Sequence, residues 1–234
     1  MINNLKILTV IPARGGSKGI PLKNLSTVNN KPIVELASII ASSIQIIDRI
    51  VVSTDNIAIA DAAAKGGADA PFMRPEYLSG DEISDLDVLT HALLEVERYD
   101  NCTYDVIVML QPTSPLRKKG QVEQTINRLI ENNYDAVWTV SETDTKSHPL
   151  KQLTIESGTL NYYDQAGKNI IARQQLLPVY HRNGIAYAIT RNCLIGKKSI
   201  MGDNTGYLLC EGNTISIDTE SDLEFARKYF SSKE

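Results

Sequence analysis

Apolar runs of strand length alternate along this chain with amphipathic stretches of helix length, and that alternation admits few folds. A strand that is apolar throughout needs both faces covered, which helices packed on a mostly parallel sheet provide. The first such run is 6–13. A loop over 14–24 follows it, and Pro32 then opens a helix in which Ile33, Leu36, Ile39, Ile40 and Ile44 recur at helical spacing. Residues 49–54 read as the second strand, after which Asp55 and Asn56 supply a cap for a helix through Ala58, Ala62 and Ala63 that stops at Gly66 and Gly67. Leu86, Leu89, Leu93 and Val96 share one face of a helix over 85–97. Residues 105–110 are almost wholly apolar and end in Gln111, Pro112, Thr113, Ser114 and Pro115, where two prolines forbid a regular continuation. A helix over 121–132, strands over 136–140, 185–190 and 214–217, and a terminal helix over 220–229 complete the expectation.

One stretch breaks this rhythm. Residues 142–177 are polar, with weak strand candidates at 152–155 and 160–163, and read as an inserted arm for subunit contact or as a solvent-exposed hairpin. No repeat and no linker-like composition divides the chain, so 1–234 is expected to form one α/β domain carrying the arm at 142–177.

Composition narrows the function classes. With 42% hydrophobic and 22% charged residues the chain is expected to be globular. Lys and Arg total 24 against 28 Asp and Glu, a net charge of −4 with no long run of one sign, which argues against nucleic acid or an anionic membrane as a partner. The apolar stretch near the start, 7–12, falls far short of the roughly 20 residues that cross a bilayer, and no signal peptide is evident. Cys102, Cys193 and Cys210 form no CxxC pair, so neither a disulfide framework nor a zinc site is expected and a cytoplasmic location fits.

The glycine-rich loop after the first strand is the most suggestive segment. It reads Ala13, Arg14, Gly15, Gly16, Ser17, Lys18, Gly19, Ile20, Pro21, Leu22, Lys23, Asn24, at the position where open α/β sheets place ligand loops. Its glycines let backbone amides approach an anion, and Arg14, Lys18 and Lys23 supply charge to neutralise a polyphosphate. Neither a GxGxxG fingerprint nor Walker spacing occurs here. Taken alone, the loop also reads as an ordinary glycine turn with solvated cations.

The string IPARGGSKGIPLKNL resembles the nucleotide-binding signature of the CMP-acylneuraminate synthetases, cytidylyltransferases that activate sialic acids and related nine-carbon 2-keto sugar acids. Further pieces follow in that family's order: DRIVVSTD at 48–55, RPEYLSGD at 74–81, LQPTSPLR at 110–117, HPLK at 148–151, RQQLLP at 173–178, NGIAY at 183–187 and SIDTESDLE at 216–224. The resemblance covers nearly the whole chain. It implies a three-layer Rossmann-like nucleotidyltransferase fold with a dimerisation arm, hence a homodimer. The implied reaction transfers CMP from CTP to the anomeric hydroxyl of an N-acylneuraminate, with legionaminic or pseudaminic acid as alternative acceptors. A non-catalytic nucleotide-sugar-binding module is the reading from a different class.

The resemblance also implies roles. Arg14, Lys23 and Asp218 would be catalytic; Arg14, Gly16, Ser17, Lys23, Asn24, Arg74 and Ser84 would bind the nucleotide; Gln111, Lys151, Arg173 and Tyr187 would bind the sugar acid. Asp218 would hold Mg²⁺ or Mn²⁺, although Ser216 stands where the family's D-x-D motif has its first aspartate. Asp218 could instead cap the helix that follows it, with Thr219 and Asp222 as other participants. His181 occupies the place of a family arginine, with Arg182 next to it, while His91 and His148 lack partners at a telling spacing and read as structural.

Overall fold

The computed structural model describes residues 5–232. In chain order its strands are β1 (Ile7–Pro12), β2 (Thr27–Val28), β3 (Lys31–Pro32), β4 (Arg49–Ser53), β5 (Val106–Met109), β6 (Ala136–Glu142), β7 (Leu153–Glu156), β8 (Thr159–Tyr162), β9 (Tyr180–Thr190) and β10 (Thr205–Leu209). The helices are α1 (Ile33–Ser42), α2 (Ile57–Lys65), α3 (Asp85–Asp100), α4 (Lys119–Glu131) and α5 (Glu220–Ser231). Six strands form the central sheet in the order β10-β6-β9-β5-β1-β4. β1 runs parallel to β4 and β5, β6 runs parallel to β10, and β9 lies antiparallel between β5 and β6.

The strand alternation divides the interior into layers. From β1, Ile7 and Ile11 point into the core shared with α1, α2 and α4, whereas Leu8 and Val10 point into the core built on Leu89, Leu93 and Val96 of α3. Each fully buried Leu or Ile contributes on the order of 1.5–3 kcal/mol, so slipping β1 by one residue would keep its burial but exchange its neighbours. A third cluster joins Ile20 and Val28 to Leu223 and Ala226, seating α5 beside the β2–β3 hairpin. The second helix starts at the cap read from sequence, where the Asn56 side chain accepts from Ile59 N, and at the start of α3 Ser84 Oγ accepts from Asp87 N at 3.1 Å. Asn101 in the left-handed region, φ 49°, ends α3.

One expectation about the last third needs correcting. Residues 214–217 form no strand; they run as a connecting segment, with Ile217 buried in the third cluster and its N–H donating to Thr113 O at 2.8 Å. The edge strand is β10 instead. It shows no alternation because Gly206 is its one buried residue, and a Cβ there would stand 2.5 Å from the Tyr134 ring.

The arm leaves the sheet between the paired ends of β6 and β9, where Glu142 faces Tyr180 and Thr143 N donates to Val179 O. It holds the β7–β8 hairpin and short helical turns. Buried His148 fastens its two ends. Its Nδ1 accepts from Leu150 N–H, which leaves the proton on Nε2 to donate to Leu177 O at 3.0 Å. Ile155, Ile171 and Leu177 on this arm are 77%, 93% and 79% exposed. No helix among the described residues is long and apolar enough to cross a membrane.

Candidate active site

The chain leaves β1 at the carboxyl end of the sheet and enters the glycine-rich loop, which forms one wall of a cleft of about 390 Å³. The other walls come from Arg74 and the segment leading into α3, from Gln111 to Thr113 after β5, and from Ser216 and Asp218 before α5. Arg14, Gly16, Ser17, Lys23, Asn24, Arg74, Gln111 and Asp218 all line it. Eight of the candidate residues, drawn from four distant parts of the chain, are thereby brought together.

Local geometry explains the loop. Gly15 N donates to Asp55 Oδ1 at 2.6 Å and buried Asn24 donates from Nδ2 to Arg14 O at 2.9 Å, tying both ends of the turn. Leu22 in the left-handed region, φ 50°, precedes the helical turn that begins at Lys23. The two inner glycines serve different ends. A Cβ at Gly19 would lie 2.5 Å from Asp218 O, so glycine is what allows the 216–218 segment to close on the loop, whereas a Cβ at Gly16 meets nothing within 4 Å.

The loop cations are held by carboxylates. Arg14 Nη2 lies 2.7 Å from Asp81 Oδ1 and Lys18 Nζ lies 2.6 Å from Asp81 Oδ2; the Lys18 hydrogen bond and then Arg14 hold the Asp81 pKa below the usual carboxylate range. Lys23 Nζ meets Asp218 Oδ1 at 2.9 Å, and Ser216 Oγ donates to Asp218 Oδ2 at 3.2 Å. Asp218 does not cap α5. Thr219 and Asp222 do that, leaving the Asp218 side chain 68% exposed at the cleft.

Among the described residues no group of three or more His, Cys, Asp or Glu could hold an ion by itself. Asp218 and Ser216 supply hard oxygen donors, which suits a Mg²⁺-type ion whose remaining ligands are phosphate oxygens and water.

Arg74 lies on the cleft floor. Its Nε donates to Ser53 Oγ at 3.0 Å and its Nη2 to Ser53 O, while burial lowers its pKa to about 10 against the pull of Asp55 and Asp85. Ser84 stands at the N-cap of α3 between the lining residues Ile83 and Asp85. Tyr187 is buried behind the cleft, its hydroxyl accepting from Gly184 N at 2.9 Å and its ring against Trp138, so burial raises its pKa. Lys151 and Arg173 are exposed on the arm and do not line this chain's own cleft.

Three residues escaped sequence reasoning. Arg117 is 5% exposed with no carboxylate beside it; its guanidinium donates to the carbonyls of Gln111, Gly184 and Ile185, and burial lowers its pKa to about 9. It clamps the turn carrying Gln111 to β9. The signal available was an arginine two residues beyond the second proline of a turn. Asp81 and Asp85 line the cleft as well, but in the sequence they are two among several acids around the start of a helix.

Fold and cleft together define a three-layer α/β protein with a cation-walled, nucleotide-sized site at the carboxyl end of its parallel strands. The cytidylyltransferase family model matches residues 8–233, and the chain belongs to that family. A pseudaminic acid cytidylyltransferase of Campylobacter jejuni is 32% identical over 95% of this chain and 95% of that protein. A CMP-N,N'-diacetyllegionaminic acid synthase of Legionella pneumophila is 30% identical over 95% of this chain and 94% of that protein. Among solved structures, a CMP:2-keto-3-deoxy-manno-octonic acid synthetase complexed with CTP superposes with a TM-score of 0.71 at 18% identity, covering 98% of this chain and 100% of that one. At that identity the likeness establishes the fold.

Proposed function

We propose that this cytidylyltransferase transfers CMP from CTP to the anomeric hydroxyl of an N-acylated nine-carbon 2-keto sugar acid and releases pyrophosphate. The observation that carries this reading is the meeting of Arg14, Lys23 and Asp218 around one cleft in a chain of this family. Relatives named for pseudaminic and N,N'-diacetyllegionaminic acids support a nonulosonic acceptor. Among these acids, N-acylneuraminate is the acceptor that the sequence motifs favour.

The hydroxyl oxygen attacks the α-phosphorus as its proton passes to solvent water, the bond to the β-phosphate oxygen breaks, and pyrophosphate carries the leaving charge. Arg14 and Lys23 exchange their carboxylate partners for phosphate oxygens, stabilising charge that grows on the leaving group. The open face of Gly16 lets backbone amides reach the phosphates, and Ser17 and Asn24 line the same wall. Arg74 and Ser84 flank the end that would take cytidine. Asp218, assisted by Ser216, would hold Mg²⁺ or Mn²⁺, which when bound supplies charge neutralisation between phosphates and hydroxyl. Gln111 at the end of β5, backed by Tyr187, faces the sugar acid.

Lys151 and Arg173 do not reach the cleft of their own chain, and the arm carries exposed Ile155, Ile171 and Leu177. A homodimer, in which the arm covers a second copy and brings these cations to its cleft, accounts for both facts. A cytoplasmic location agrees with the free thiols of Cys102, Cys193 and Cys210.

Pyrophosphate release from CTP and Mg²⁺ with N-acetylneuraminate, diacetyllegionaminate, pseudaminate and the eight-carbon acid should be seen with nine-carbon acids. Silence across the panel would refute the proposal and favour a binding module. Sedimentation should give a dimer, and Lys151→Ala should raise KM for the acid; a fully active monomer would refute the shared site.

A further inference from the structure

Asn183 of β9 is 5% exposed, yet both polar atoms of its side chain are engaged. Its Oδ1 accepts from Thr139 Oγ1 at 2.7 Å and from Ile185 N at 3.2 Å, and its Nδ2 donates to Ser141 Oγ at 3.0 Å. A backbone N–H can only donate, so Ile185 fixes which end of the amide is the oxygen. Buried Ser141 therefore accepts from Asn183 and directs its own proton to Thr214 Oγ1, 2.8 Å away.

This chain of hydrogen bonds leads from the sheet into a segment with little else to hold it. Residues 213–218 belong to no helix or strand, and among the described residues their one backbone–backbone hydrogen bond runs from Ile217 N to Thr113 O at 2.8 Å. Asp218 is the end of that segment. Thr113 lies on the turn after β5, and the turn returns to the same place on β9: Ser114 Oγ donates to Asn183 O at 2.7 Å, and Gln111 N donates to Gly184 O at 3.3 Å. Gly184 allows this approach, being in the left-handed region at φ 70°, and a Cβ there would stand 2.5 Å from Gln111 Oε1. Asn183 thus holds a closed circuit. Its side chain reaches 213–218 through Ser141 and Thr214, Ile217 joins that segment to Thr113, and Ser114 returns to the Asn183 backbone. Gln111 and Asp218, on two walls of the cleft, are both carried by this circuit.

We infer that Asn183, acting through Ser141 and Thr214, is a positioning residue that sets the place of Asp218 relative to Gln111. None of the three lines the cleft, so none is a catalytic residue. Apolar residues of similar volume would fill the same space at little cost in stability. What they would not supply is a tether between the sheet and the segment bearing Asp218, and a fully satisfied buried network supplies it with fixed geometry. The inference rests on the proposed reaction and adds what aligns its donor and acceptor sides.

The test uses Thr214→Val, which keeps the shape and loses the hydroxyl, Thr214→Ser, which restores it, and Ser141→Ala, which breaks the chain one step earlier. Thr214→Val should lower kcat about tenfold or more, the penalty of a misplaced reacting group, with KM for CTP held within about twofold and Tm lowered by no more than about 4 °C. Thr214→Ser should turn over like the parent. Ser141→Ala should lower kcat as well, and the double variant Ser141→Ala with Thr214→Val no further than the larger single loss. Placed on Asp218→Asn, Thr214→Val should change nothing more. Independently of turnover, the Ile217 N–H should exchange with deuterium about tenfold faster or more in Thr214→Val and at the parent rate in Thr214→Ser. An unchanged kcat in Thr214→Val, an equal loss in Thr214→Ser, additive losses in the double variant, a loss that persists on Asp218→Asn, or unchanged exchange at Ile217 would overturn the positioning role. Absence of turnover by the wild-type enzyme with any acid would remove the proposed reaction instead, and the exchange rates would then decide the tether alone.

Discussion

Gly16 and Gly19 stand three residues apart in one loop, and alanine at each should act in opposite directions. At Gly19 the new Cβ starts 2.5 Å from the carbonyl oxygen of Asp218. The two backbones must part by roughly 1 Å to reach ordinary contact, and an overpacked contact of this kind costs about 1–3 kcal/mol. Alanine recovers about 0.4–1 kcal/mol by restricting the unfolded chain. The net destabilisation of about 1–2 kcal/mol should lower Tm by roughly 2–8 °C in a chain this size. Asp218 moves with its backbone, so the contact with Lys23 loosens and kcat falls. At Gly16 the Cβ meets nothing within 4 Å and φ is not left-handed, so only the unfolded-state gain remains. Tm should hold or rise by about 1–4 °C. The methyl group, however, projects where a phosphate oxygen would approach the backbone, and losing one hydrogen bond to a charged group should raise KM for CTP about 10- to 100-fold. Differential scanning calorimetry and initial rates at varied CTP read both variants. A shift of Tm in the same direction for both, or an unchanged KM in Gly16→Ala, would refute the division of labour between the two glycines.

Asp218→Asn should remove turnover by at least about 100-fold, while circular dichroism melts within about 2 °C of the parent, because an exposed pair with Lys23 contributes little to stability. Away from the cleft, burial pushes the Glu97 pKa up, but hydrogen bonds from Arg191 and from Tyr104 N win and hold it below its ordinary value of 4.5. The folded pKa is therefore the depressed one. The ionised carboxylate stabilises the fold above the unfolded pKa, and that contribution is lost as pH falls through the folded pKa. Glu97→Gln should cost about 1–3 kcal/mol at neutral pH and flatten the acid limb of urea melts taken from pH 6 to pH 3; an acid limb as steep as the parent's would count against this assignment.

The layers were legible because periodicity records burial. β5 is apolar throughout, β1 and β4 carry apolar runs at their centres, and α3 shows its stripe, so their existence and type follow from single residues such as Leu8, Val51 and Leu89. β10 was not legible because an edge strand with Gly206 at its buried position has no apolar period to display. The wrong strand at 214–217 has the converse cause: Ile217 is buried among Val28, Ile33 and Leu223 without pairing as a strand, and apolar spacing alone does not separate a paired strand from a pinned connection. Within the cleft, the glycine-rich loop stood out by its place after β1 and its cations, whereas Arg74, Gln111 and Asp218 were reached only through the family resemblance. Arg117, Asp81 and Asp85 carry their meaning in what surrounds them. A lone arginine facing three carbonyls, or an acid placed between two cations, is a property of the fold and not of the residue.

A net charge of −4 would repel a triphosphate if it were spread evenly, and the cleft resolves this through pairing rather than through excess cations. Arg14 is near enough to Arg74 to disfavour its charge. Asp81 between Arg14 and Lys18, and Asp218 beside Lys23, hold that cluster together in the free protein. Binding a triphosphate then exchanges one set of anions for another, and the affinity is the difference between two charge-assisted networks instead of the full attraction of bare cations. On the proposed reading, the same exchange would free Asp218 from Lys23 as the phosphates arrive, so its carboxylate would be available to an ion when phosphate ligands are also present. Ser216 fits this arrangement because a hydroxyl can orient Asp218 without adding a second negative charge that Lys23 alone would have to balance.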